Sequence, residues 1–180
     1  MNFRRAAAVD ADRIAQLHAE SWRGTCRGMM RDEFLDGDVL TNRCQAWREL
    51  MTTQGAGQFV LLAEDGAHLA GFICVTADED VLWGSCIDDL HVAGAYMRRG
   101  VGRALMAHAA RWLRDSHARL SVYLWVMQAN GRARRFYEAL GASDVGVRSL
   151  LDPGGGSVLN CRYVWRKPED LLRACDPLRA

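Results

Sequence analysis

Ile87-Asp88-Asp89-Leu90-His91-Val92, followed by Met97-Arg98-Arg99-Gly100-Val101-Gly102-Arg103-Ala104, is the stretch that decides the fold. Leu82 to Val92 is a strand-like run in the middle of the chain. From Gly100 to Arg114 the period becomes helical, with Val101, Leu105, Ala109, Trp112 and Leu113 on one apolar stripe. A strand that feeds into a helix leaves the helix's first N–H groups open at the junction. Glycines there let a ligand approach the backbone, and the helix dipole adds roughly half a positive charge. Arg98, Arg99 and Arg103 supply full charges. These residues describe an anion site, although an isolated GxG also fits a tight turn packed under a helix. There is no GxxxxGK[ST], and no GxGxxG followed by an acidic ribose ligand, so two familiar phosphate folds are set aside.

Working outward, Asp10 to Arg23 spaces Ile14, Leu17, His18 and Trp22 as an amphipathic helix, and Arg31 to Met51 carries Phe34, Leu35, Trp47 and Leu50 on one or two more. Gln58 to Ala63 and His68 to Thr76 flank Glu64-Asp65-Gly66, which suits an antiparallel hairpin. Beyond the central helix, Leu120 to Val126 is strand-like, and Asn130 to Leu140 is helical with Gly141 as its stop. Two further strands bracket Asp152-Pro153-Gly154-Gly155-Gly156, best read as a hairpin turn; a phosphate-cradling role fits it less well, because no helix opens after it. The order predicts a mixed α/β (α+β) chain with a strand-helix-strand-helix unit from Leu82 to Leu140. We expect one domain over residues 1–167 and a C-terminal tail over 168–180.

Composition removes whole classes of function. Lys plus Arg number 23 against 22 Asp plus Glu, which leaves no general field to steer nucleic acid or an anionic membrane. Six cysteines stand singly, with no CxxC and no Cys/His cluster, so neither a zinc site nor a redox dithiol is expected. Free thiols suggest a reducing, cytoplasmic setting, and no stretch approaches the ~18–20 apolar residues that span a bilayer. No HExxH pair joins His18, His68, His91, His108 and His117, and no GxSxG elbow is present, so metal hydrolysis and Ser-His-Asp acyl transfer are not anticipated.

Taken in order, Ile87 to Val92, Arg98 to Ala104, then Asn130, Ala133, Phe136-Tyr137 and Leu140-Gly141 resemble the GNAT superfamily of N-acetyltransferases, over about Phe3 to Trp165. The resemblance makes the first block a central strand. The second becomes a pyrophosphate loop of the form Q/R-x-x-G-x-G/A, and the third a helix beside the pantetheine arm. Met97 stands where the family usually has Gln or Arg. Since such a loop binds mainly through backbone amides, this departure is expected to tune affinity more than activity. The resemblance implies a single domain with a mixed, mostly antiparallel sheet, flanked by helices, whose middle strands splay apart. It also implies acetyl-CoA as co-substrate, with no metal. Cofactor contacts fall on Leu90, Val92, Arg98, Arg99, Gly100, Val101, Gly102, Arg103 and Asn130.

The chemistry requires a neutral amine, and a Lys-like amine has a pKa near ~10.4, so a group must accept its proton. Asp88 and Asp89 lie in an otherwise apolar strand, where an ionised side chain needs a partner or a wet cleft. Alternation predicts Asp88 on one face with Leu90 and Val92, and Asp89 on the other with His91. By resemblance Asp88 takes the place of the general base; a salt-bridged or solvent-facing structural role fits both aspartates as well. Tyr137 resembles the acid that protonates the departing thiolate, with Phe136 filling the core beside it; packing against the sheet is the other role open to Tyr137. Asn130 suits an N-cap and a cofactor contact alike. An oxyanion is expected to meet a backbone N–H at Leu90 or Val92, where strands diverge. Trp22, Arg23 and Glu33 are candidates for an acceptor pocket. Attack is expected to be direct, without an acyl-enzyme. The acceptor would be an amine on a small molecule, peptide or protein; a homodimer is compatible, and nucleic acid and membrane are not expected partners. A non-catalytic acyl-CoA-binding module and a propionyl donor are the alternatives.

Overall fold

The computed structural model describes residues 1–117 and 121–176. Within these residues, seven strands form one sheet: β1 (Asn2–Arg5), β2 (Gln58–Asp65), β3 (His68–Asp80), β4 (Gly84–Val92), β5 (Val122–Met127), β6 (Ser143–Leu151) and β7 (Ser157–Trp165), in the order β1-β2-β3-β4-β5-β7-β6. Among the described residues, six helices accompany them: α1 (Ala11–Thr25), α2 (Asp32–Asp36), α3 (Val39–Thr53), α4 (Val101–His117), α5 (Gly131–Ala139) and α6 (Pro168–Ala174). Every strand pairing is antiparallel except β4 with β5. This matches the expected mixed sheet with helices around it. Leu120 of the expected fifth strand lies outside the described residues, as do residues 177–180 of the expected tail.

Period-two alternation divides the core between the sheet's two faces. Phe59, Leu61 and Ala63 of β2 and Ile73 and Val75 of β3 join the apolar stripe of α4, whose Val101, Leu105, Ala109 and Leu113 are buried. Val60, Leu62, Phe72 and Cys74, on the opposite face, pack with Ile14, Leu17, Trp47 and Met51 of α1 and α3. The β2–β3 turn falls at Gly66, whose φ of 59° belongs to the left-handed region. Two elements went unread in the sequence. β1 is a four-residue edge strand paired with β2, and α6 buries Leu171 and lies along α4.

An ion-pair network clamps the N-terminal segment. Arg4 donates to both Asp10 oxygens at 2.7 Å and to Glu64 at 2.9 Å, while Arg13 reaches Glu64 at 3.0 Å. The Arg4 hydrogen bonds hold the buried Asp10 carboxyl down at about 2.

Candidate functional site

Among the described residues, β4 and β5 pair at Ser85↔Val122 and Cys86↔Tyr123, then separate. Between them opens a crevice of about 720 Å³, reached by Trp22 from α1, Asp88 and Leu90 from β4, Gly102 from α4 and Tyr137 from α5. Successive residues of a strand turn their amides to opposite edges. Ala93 N–H donates to Ala70 C=O on the β3 side at 2.9 Å, so Val92 and Leu90 turn theirs to the β5 side, beyond the last β4–β5 pair.

The start of α4 borders the same crevice. Gly94–Tyr96 forms a short 3₁₀ turn, and Arg98 and Gly100 take positive φ values of 62° and 81°. Glycine adopts that region freely, whereas Arg98 holds it at some conformational cost. Ala104 N–H donates to Gly100 C=O at 3.0 Å as the first helical bond, so the amides of Val101, Gly102 and Arg103 are those left without a helical partner. A Cβ on Gly102 would stand 3.5 Å from Phe136 and 3.7 Å from Val92. The arginines do not act alike. Arg98 and Arg99 are exposed, and Arg99 lies 5.6 Å from the Tyr96 ring centroid. Arg103 spends its guanidinium on the Ala174 carbonyl at the end of α6, 3.1 Å away, which the sequence had not indicated. Met97 Sδ meets Arg132 Nη2 at 2.9 Å.

Strand alternation fails at the two aspartates, and the cause is a β-bulge. Cys74 faces Asp89 and Val75 faces Ile87, so Asp88 is an extra residue on β4. Its Oδ2 accepts from Thr76 Oγ1 at 2.7 Å and lies 3.9 Å from Cys74 Sγ, on the α1 face. Leu90 and Val92 pack toward α4 instead. Asp88 therefore shares a face with Asp89 and His91, not with Leu90 and Val92. Water reaches Asp88, yet the crevice walls displace much of its hydration. That desolvation pushes its carboxyl up to about 7; the Thr76 hydrogen bond opposes the rise and the charges of Asp89 and Glu79 add to it.

Asp89 sits deeper, its Oδ1 3.5 Å from both His18 Nε2 and His91 Nε2. Trp47 Nε1–H, which can only donate, bonds His18 Nδ1 at 3.0 Å, so the His18 proton is on Nε2 and faces Asp89. Burial pushes His18 well below the ordinary imidazole range, which keeps it neutral. Burial alone would raise Asp89, but the His18 and His91 N–H groups and the Arg43 charge oppose it and hold its carboxyl below the ordinary range, ionised. Since His18 is neutral, its share is that of an N–H dipole. The His18, Asp89 and His91 donor atoms lie within 4.8 Å of one another, a spacing a metal ion could use. With Nδ1 taken by Trp47 and Nε2 protonated, however, His18 has no lone pair to offer.

Tyr137 lines the crevice and is also core. It is buried among Phe136, Tyr163 and Trp165, and burial followed by the Asp89 charge pushes its phenol up, so it stays protonated. Phe136, expected in the core, is the half-buried one beside Gly102. Asn130 Oδ1 accepts from Ala133 N–H at 3.0 Å as the N-cap of α5, at the crevice edge. Of the acceptor candidates, Trp22 lines the crevice under Arg43, whose guanidinium is 4.5 Å from its ring. Arg23 instead ties α1 to the Leu35 carbonyl at 2.9 Å. Glu33 lines a second groove of about 500 Å³, between α2, α3 and the β6–β7 turn. The thiols of Cys74 and Cys86 are pushed up by burial and are poor nucleophiles. No role was expected of Ser21, whose Oγ lies 2.8 Å from His91 Nδ1 in the same crevice. Among the described residues, no helix is long and apolar enough to cross a membrane.

The family model described as "Acetyltransferase (GNAT) family" matches residues 12–142. A protein named as a probable N-acetyltransferase of Mycobacterium tuberculosis is 28% identical over 141 residues, 77% of either chain. The streptothricin acetyltransferase of Streptomyces lavendulae is 35% identical over 101 residues, 55% of this chain and 51% of that one. The PaiA N-acetyltransferase of Thermoplasma acidophilum, solved in complex with coenzyme A, superposes with a TM-score of 0.66 at 17% identity, covering 88% of this chain and 96% of that one, a likeness of fold alone.

Proposed function

The chain belongs to the GNAT family of acetyltransferases, and from that premise we propose that it passes an acetyl group from acetyl-CoA directly to a primary amine, with Asp88 as general base and Tyr137 as general acid. The observation that carries this is the meeting, in one crevice, of outward-turned strand amides, an open helix N-terminus and a carboxyl lifted to about 7. In this scheme the α4 amides of Val101, Gly102 and Arg103 receive the pyrophosphate, helped by the helix dipole and by Arg98 and Arg99. Coenzyme A, which the PaiA structure contains, would run its pantetheine between β4 and β5 past Asn130. Leu90 and Val92 N–H would hold the thioester carbonyl and the oxyanion that forms from it.

Asp88 suits the base role because half of it is ionised near pH 7 and water reaches it, so it accepts a proton from an ammonium and passes it to solvent. Tyr137 suits the acid role because its phenol stays protonated until a thiolate leaves beside it. The second groove, with Glu33 and Asp38 at its wall, is where we place the remainder of the acceptor, whether a small amine or a peptide. The test is incubation with acetyl-CoA and a panel of primary amines while free thiol is followed. Amine-dependent thiol release that collapses in Asp88→Asn supports the scheme. Tight acetyl-CoA binding without release for any amine would favour an acyl-CoA-binding module instead.

A further inference from the structure

We propose that Ser21 is a nucleophile, activated by His91 and Asp89, which takes the acetyl group itself when no amine is present. Three observations join. Ser21 Oγ is 2.8 Å from His91 Nδ1. His91 Nε2 is 3.5 Å from Asp89 Oδ1. Ser21, Asp89 and His91 all line the crevice. A nucleophile within hydrogen-bond reach of a base, which a third group orients, is the arrangement that makes a hydroxyl reactive.

The direction of the protons can be followed from Trp47. Trp47 can only donate, so His18 keeps its proton on Nε2 and turns it toward Asp89. Asp89 is ionised and can only accept, which favours the His91 proton on Nε2 as well. His91 Nδ1 is then the lone pair that accepts the Ser21 hydroxyl, as a base must. Burial of His18 also makes this assembly rigid: it is fully enclosed, and its ring packs against those of Trp22, Phe72 and His91. His91 lies in the strand between Leu90 and Val92, whose amides face the crevice as oxyanion donors.

As the Oγ–C bond forms to the thioester carbonyl, the Ser21 proton moves to His91 Nδ1. When the C–S bond breaks, that proton goes to the departing thiolate, leaving acetyl-Ser21 and free coenzyme A. Water then attacks the ester and gives one proton to His91; the Oγ–C bond breaks, Ser21 recovers that proton, and acetic acid departs, losing its remaining proton to solvent as acetate. The thioester half of this rests on the proposed cofactor site, but the serine's reactivity does not.

The experiment uses two acetyl donors without amine: acetyl-CoA, and p-nitrophenyl acetate, which needs no coenzyme site. Intact-mass measurement should find one acetyl group per chain, mapped to Ser21, or else steady acetate release where water consumes the ester quickly. Ser21→Ala should abolish both signals with either donor, Ser21→Cys should restore an adduct, and His91→Gln should slow its formation by roughly the 10²–10⁴-fold of a lost general base. Thermal unfolding of each variant checks that it is folded. An adduct with p-nitrophenyl acetate but not with acetyl-CoA would uphold the serine and tell against the cofactor placement. Donor turnover unchanged in Ser21→Ala, or acylation of Ser21 at full rate in His91→Gln, would overturn the proposal.

Discussion

Thr76→Val tests the assignment of Asp88 without touching Asp88. Thr76 Oγ1 donates to the carboxylate at 2.7 Å, and that bond favours the ionised form. A hydrogen bond to a charged group is worth ~1.5–3 kcal/mol, and this water-accessible one belongs at the low end. At 1.36 kcal/mol per pH unit, its loss should raise the carboxyl by about one unit. The acid limb of kcat/KM, centred near 7 in the parent protein, should then move to about 8. The variant should be slower by about tenfold at pH 6 and nearly equal above pH 9. The assay is kcat/KM for one amine across pH in both proteins; ionisation of the amine is common to both and cancels in their ratio. Asp88→Asn, beside them, should fall roughly 10²–10⁴-fold and lose the limb. A ratio that is flat with pH, or a limb displaced to lower pH, would refute Asp88 as the group that sets it.

Tyr137→Phe keeps the ring against Trp165 but removes the proton donor, so kcat should fall while the thermal shift given by acetyl-CoA stays near the parent value; a parental kcat where chemistry limits turnover would leave Tyr137 as packing alone. Gly102→Glu has space for its Cβ but sets a negative charge where the α4 amides await phosphate, so stabilisation by acetyl-CoA should vanish; its survival would move the cofactor elsewhere. Asp10, held at about 2 by Arg4, adds stability that is fully present above its ordinary pKa of 3.8 and is lost as pH falls toward 2. By that difference Asp10→Asn should cost about 2 kcal/mol at pH 7 and flatten acid unfolding between pH 4 and 2, which urea titrations across pH would measure.

The strands and helices whose side chains repeat with a clear period were legible in the sequence. The stripe of Val101, Leu105, Ala109 and Leu113 is the buried face of α4, and the glycine-bearing junction before it is its open N-terminus. The bulge was not legible, because one extra residue on β4 leaves no trace in an apolar run. Counting by twos therefore put Asp88 and Asp89 on opposite faces when they share one. Nor could local pattern reveal that Ser21 meets His91 across 70 residues, or that the Arg103 guanidinium caps α6. The four residues of β1 are too few for a period to show, and α6 was passed over as tail. Tyr137 was recognised through its setting; that it is both core and crevice wall follows from α5 lying against the sheet where the strands part.

The division between β4 and β5 has a mechanical side. A continuous sheet transmits force from strand to strand through its ladder, but here the ladder narrows to two residue pairs at one end. β1 to β4 and β5 to β7 are therefore two plates whose direct ladder is short, at Ser85 and Cys86, while the common core under α4 joins them elsewhere. An amide-bearing molecule laid along the gap would bond both plates and act as the absent rung. Occupancy would then be felt far from the crevice, as slower amide exchange across β4 and β5 and as a sheet that unfolds in one step where the empty one yields first along its seam.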